Sequence, residues 1–411
     1  MRGLSVCRRK VRIIRLFPPV KQTGQETMNT LFYMQEQRLY RFSDGRSEPV
    51  TCQAVEQYIG NLKQIHRKKE WKTQGSGADF MGIQQEGLDL SDIHPSDSVC
   101  TADGRLVYGA TLQGGAAIQA KPINDLAQAE GLLLRHTDCT IYDMAYDAAH
   151  ERLALSLAGD CYGDRHLAVM PLSGNRFQFI TEGECRDSNP SFDPKNGNIL
   201  YYDSCGLAYT DHGALNSIRS INRLNLSDGE LETVLHDEQY DFFMPQPDHA
   251  GNLYCIRKPH REDVQKQGNI LRDILLIPFK LFKAMFGWLD FFSQRYGGES
   301  LRTSGANPAK SKQQSEEERF IEGNLVKVRR QRDKEEQNER YPSAIPKSWQ
   351  LVKYTPEGGC TVLHSGVMAY TLCPDGGIIY SNGRYILHAT AEGEEKMLTE
   401  ARWASKLRLQ P

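Results

Sequence analysis

The chain has 411 residues, 39% of them hydrophobic and 25% charged, with a formal net charge of −2. This near-neutral balance carries no basic footprint, so nucleic-acid binding by the protein as a whole is not expected. Ten cysteines are scattered without a Cys-x-x-Cys pair, which argues against a zinc ribbon and for reduced thiols in a cytoplasmic setting.

In chain order, residues 1–27 come first. Arg2, Arg8, Arg9 and Lys10 break up any apolar core of a secretory signal. The segment reads as a disordered extension, or as sequence upstream of a start at Met28. Strand-like runs follow at Leu31–Met34, Arg38–Phe42 and Glu48–Cys52, with an Asp44-Gly45 turn. Residues 53–90 resist assignment to strands. Within them Tyr58 to Trp71, with Lys63, His66, Arg67, Lys68, Lys69 and then Lys72, predicts a basic helix with a solvated face.

Next comes a recurring hairpin. Its clearest copy is Ser191-Phe192-Asp193-Pro194-Lys195-Asn196-Gly197-Asn198-Ile199-Leu200-Tyr201-Tyr202. Other copies turn at Asp103-Gly104, Asp147-Ala148, Asp248-His249 and Asp375-Gly376. Each is a strand end, a tight polar turn and a fresh apolar strand. The first four turns are about 44, 46 and 55 residues apart, the period of a four-stranded propeller blade. The tail around Arg402–Leu409 supplies one strand and the beginning supplies three, so the two ends complete one blade and close the ring.

The phrase Asn189 to Tyr202 resembles the repeat of the TolB-type, WD40-like propellers, although only Phe192 matches the aromatic residue usual before the turn. The resemblance covers roughly residues 28–410, less the insertions. It implies a ring that serves mostly as a scaffold for protein contacts. Related rings also gate peptidases or carry metal-dependent hydrolases, so the resemblance does not select a function.

The expected fold is therefore all-β, one six-bladed propeller over 28–411 with a helical and disordered insertion; seven blades is the alternative. The insertions, 53–90 and 259–347, fall on the same face, because successive blade connections alternate between faces. Residues 269–294 predict an amphipathic helix with a wide aromatic face, kinked or interrupted at Pro278. Phe279, Lys280, Phe282, Lys283, Phe286, Trp288, Phe291 and Phe292 are its candidates for contact with the propeller, a partner's groove or a membrane surface. Residues 298–320 are polar and read as disordered. Arg329 to Glu336 reads as a solvated, mixed-charge helix.

The insertion face should also carry Asp160, Asp164, His166, Arg186, Asp187, Asp211 and His212, together with His236-Asp237-Glu238. These could ligate a metal or run acid–base chemistry, though polar loops are normal on any propeller rim. No Gly-x-Ser-x-Gly elbow, phosphate loop or His-Glu-x-x-His motif is present. The reading is a non-enzymatic scaffold for an unidentified protein partner, with no cofactor, cytoplasmic and peripheral at the inner surface of a membrane. The alternatives are a propeller hydrolase with a metal or carboxylate site at the channel mouth, and a sensor of a small ligand.

Overall fold

The computed structural model describes residues 30–73, 88–159, 164–210, 213–260, 317–321, 324–328 and 340–410. The chain begins with β1 (Leu31–Gln35), β2 (Arg38–Ser43) and β3 (Arg46–Pro49), followed by α1 (Gln53–Thr73). Blade 1 is β4 (His94–Cys100), β5 (Arg105–Leu112), β6 (Gly115–Pro122) and β7 (Gly131–His136). Blade 2 is β8 (Thr140–Asp147), β9 (Arg152–Ala158), β10 (His166–Pro171) and the two-residue β11 (Gln178–Phe179). Blade 3 is β12 (Cys185–Phe192), β13 (Ile199–Thr210), β15 (Ser220–Asn225) and β16 (Leu231–Leu235), with β14 (Gly213–Asn216) folding back on β13. Blade 4 is β17 (Tyr240–Pro247), β18 (Leu253–Pro259), β21 (Gln350–Tyr354) and β22 (Cys360–Ser365). A separate ribbon, β19 (Glu317–Ile321) with β20 (Asn324–Val328), lies in sequence between its second and third strands. Blade 5 is β23 (Ala369–Leu372), β24 (Ile378–Ser381), β25 (Tyr385–Ala389) and β26 (Glu395–Glu400). Finally β27 (Ser405–Leu409) pairs antiparallel with β1, giving the sixth sheet, β27-β1-β2-β3. The propeller thus has six blades and not seven.

Burial follows position in the blade. The second strands are covered on both sides by neighbouring blades, so β5 and β9 are apolar almost throughout, as expected of doubly buried strands. The outermost strands face solvent, and Leu132 and Leu231 there are more than half exposed.

The recurring turns owe their Asp residues to side-chain-to-backbone bonding. The amides of Ala149, Lys195, Ala250 and Gly377 donate to the carboxylates of Asp147, Asp193, Asp248 and Asp375 at 2.8–3.0 Å, each closing an Asx turn. One turn also ties blades together. Arg152 binds Asp147 at 2.9 Å and reaches across to the Gly197 carbonyl at 2.9 Å in the next blade.

Residues 53–90, unassigned to strands in the sequence, contain α1. Val55 is buried and Tyr58, Ile59 and Leu62 are partly buried against the blade 1 and closing-blade core. That i, i+3, i+4, i+7 stripe seats the helix, while Lys63, Arg67 and Lys68 are exposed. Its N-terminus is capped from outside: the Gln53 and Ala54 amides donate to Glu130 at 2.9 and 2.8 Å. Glu130 also accepts from Tyr108 and pairs with the fully buried Lys121 at 2.9 Å. Burial alone would raise the Glu130 carboxyl. Tyr108, Lys121 and the Ala54 amide outweigh it and hold the group below its usual range.

The disordered reading of 298–320 is corrected at its end, because Glu317–Ile321 is a strand. Apolar Phe320 and Ile321 and a partner run Leu325-Val326 give that ribbon its β-propensity. The rest of that segment, residues 1–27, the 269–294 helix and residues 329–336 lie outside the described residues.

Candidate functional site on the insertion face

Connections between second and third strands, and from each blade to the next, share one face. That face carries α1, and the chain leaves and returns to it at both long excursions. A cleft of about 870 Å³ opens on it where the closing blade, blade 1 and blade 2 meet. Glu36, Asp89, Asp92 and Asp138 line its sides, and Asp143, Arg165 and Lys406 also face it.

Asp143 is 1% exposed and pairs with Lys406. Its Oδ2 has no hydrogen-bond partner among the described residues. Burial would raise this carboxyl, but the Lys406 and Arg165 charges outweigh it and keep the group ionised. Arg165 stacks over the Tyr142 ring, 3.6 Å from its centroid. Lys406 adopts a left-handed backbone (φ 52°), as do Asn189 (50°) and Met244 (56°) on the other innermost strands. These are uncommon positions for residues other than glycine. Each sits at an irregularity in its strand's pairing, which turns the strand toward the axis. Neighbouring carboxylates hold them: the Met244 amide and Asn189 side chain donate to Asp203 at 2.9 and 2.8 Å. Asp97 similarly accepts from the Met144 amide and from Arg408 at 2.9 and 2.8 Å.

Beside the cleft, Arg165 and Arg186 form a parallel bridge between blades 2 and 3. Its bonds run from the Arg165 amide to the Cys185 carbonyl at 2.9 Å and from the Asp187 amide to the Arg165 carbonyl at 3.0 Å. This brings His166, Cys185 and Asp187 together, with their ligand atoms within 4.8 Å of one another. Burial, then the Asp187 and Asp164 charges, pushes the Cys185 thiol up to about 12. Burial and the nearby Arg165 lower Arg186 from its ordinary value.

Of the residues singled out from sequence, His166, Arg186 and Asp187 are brought together here. Asp164 adjoins them, near enough to act electrostatically on Cys185. Asp160, Asp211, His212 and the helix residues Phe279 to Phe292 lie outside the described residues. Arg186 and Asp187 sit on the innermost strand β12 rather than in a loop. Cys185 was not singled out. Its signal is a Cys-x-Asp beside the channel, but its histidine partner comes from another blade and no spacing rule links them. A second group, Cys373, Asp375 and His388, is on the opposite face; Asp375 there is engaged in its own turn.

On that opposite face the channel holds about 450 Å³, lined by all six innermost strands, including Val99, Met144, Pro190, Gln246, Thr371 and Leu407. None of the eight cysteines among the described residues is paired in a disulfide there. No helix among them is long and apolar enough to cross a membrane.

No family model and no curated protein matches the chain. Solved structures similar to it include TolB from Acinetobacter baumannii, with 9% identity, a TM-score of 0.48, and coverage of 93% of this chain and 67% of that one. A nidogen/laminin complex gives 8% identity and a TM-score of 0.46 over 93% of this chain and 98% of that one. The tricorn protease gives 8% identity and 0.44 over 92% and 34%. At this identity the likeness concerns the propeller fold alone.

Proposed function

We propose that the chain is a non-enzymatic propeller scaffold that binds a protein partner on its insertion face. One observation carries this reading. Both long departures from the blade pattern leave and return on the face where the 870 Å³ cleft opens. Insertions that gather on one face of a rigid ring are where such rings present binding surface. The basic, exposed side of α1 and the acidic sides of the cleft give that face opposite charges in separate places, suited to orienting a partner.

The aromatic pattern of residues 269–294 belongs to the same proposal. Its Phe279, Phe282, Phe286, Trp288, Phe291 and Phe292 supply an anchor for the partner, and Lys280 and Lys283 suit an anionic membrane surface. Deleting residues 265–298 tests this. The expected result is loss of the co-purifying partner and of the membrane-pelleted fraction, with the propeller still melting cooperatively. An unchanged partner set and unchanged distribution would overturn the assignment to that segment.

A further inference from the structure

We propose that His166, Cys185 and Asp187 bind one divalent transition-metal ion, zinc by their donor set, across the junction of blades 2 and 3. An imidazole, a thiol and a carboxylate are the side chains that zinc selects. The Cys185 Sγ lies 3.9 Å from His166 Nδ1 and 3.5 Å from an Asp187 carboxylate oxygen. Donors around a tetrahedral zinc stand about 3.4–3.6 Å apart, given metal–ligand bonds of about 2.0–2.3 Å. The two separations at the sulfur lie within a few tenths of an ångström of those values, and the His166 and Asp187 ligand atoms are within 4.8 Å of each other.

Two further observations point to an ion and not to a chance cluster. Asp187 is 2% exposed, and the sole hydrogen-bond partner of its carboxylate among the described residues is the Cys185 thiol. A buried carboxylate without a cation is costly. Of the nearby guanidiniums, Arg165 lies on Tyr142 and Arg219 pairs with Asp203. The backbone is also built for the purpose. The two bonds of the Arg165–Arg186 bridge fix residues 165–166 and 185–187 against each other, so the ligands are positioned before an ion arrives. Binding replaces the Cys185 proton, which leaves to solvent, by the metal. Three protein ligands leave a fourth position for water or for a group of a bound partner.

The test is titration of the metal-stripped full-length protein with Co2+, followed by competition with Zn2+. One equivalent should give a thiolate-to-cobalt charge-transfer band that Zn2+ abolishes. Cys185→Ser should remove the band, and Asp187→Asn should weaken binding at least as much as loss of an outer-shell partner does, about 10- to 100-fold. Cys373→Ser, on the opposite face, should change nothing. No stoichiometric band in the folded wild-type protein would overturn the proposal, whatever the variants do. A band that survives Cys185→Ser would overturn it too, by placing the metal elsewhere.

Discussion

Gly197 shows how little room the turns leave. A Cβ built there would lie 2.6 Å from both carboxylate oxygens of Asp147, a side chain itself held by Arg152 and His150. Gly60 in α1 has no atom within 4 Å of an added Cβ. Gly197→Ala should therefore destabilise the protein by about 1–3 kcal/mol through overpacking. Gly60→Ala should stabilise it by about 0.5–1 kcal/mol, as glycine is unfavourable inside a helix. Denaturant unfolding of both variants checks the pair, and equal effects would refute the contact. The Asp residues at the turns were legible from sequence, because an Asx turn is local chemistry. The Gly197–Asp147 approach was not, since it joins residues from two blades and no local pattern encodes a crossing of that kind. The same holds for Cys185 and His166.

At the scale of elements, α1 depends on a cap supplied by another segment. Glu130 holds the Gln53 and Ala54 amides and is itself held by Lys121 and Tyr108. Lys121→Met leaves that buried carboxylate without its cation and should cost about 3–5 kcal/mol. The pH dependence has a definite sign. The folded Glu130 carboxyl lies below its ordinary 4.5, so its contribution is complete above that value and is lost as pH falls through the lower, folded one. Glu130→Gln should flatten the acid side of the melting-temperature profile relative to wild type; an identical acid slope would contradict the assignment. Sequence showed a helical pattern here but not its cap, because the capping carboxylate is more than 70 residues away from the helix start in the chain. The outer strands were the least legible elements. They face solvent, so β11 retains two residues and β16 is exposed at four of its five positions, without the apolar alternation that marks a strand.

For the whole molecule, closure and function meet at β27. This last strand pairs with β1, and its Arg408 and Lys406 bind Asp97 of blade 1 and Asp143 of blade 2. The strands β1 and β27 and the first two blades are thereby locked into one ring. Complementary terminal strands were readable as a pattern; the ion pairs that fasten them were not, since charged residues at the axis look like rim residues in a sequence. The ring then presents two unlike faces: one of tight Asx turns that bind their own backbone, and one where the cleft opens and where the chain leaves and returns at the long excursions. The most direct test of the scaffold reading is site-specific photo-crosslinking in living cells from exposed positions on each face. A crosslinker at Glu36 or Gln113, beside the cleft, should capture a discrete protein partner, while one at Lys195, in an exposed hairpin turn on the other face, should not. Capture from Lys195 alone, or no capture from either cleft position, would contradict the account.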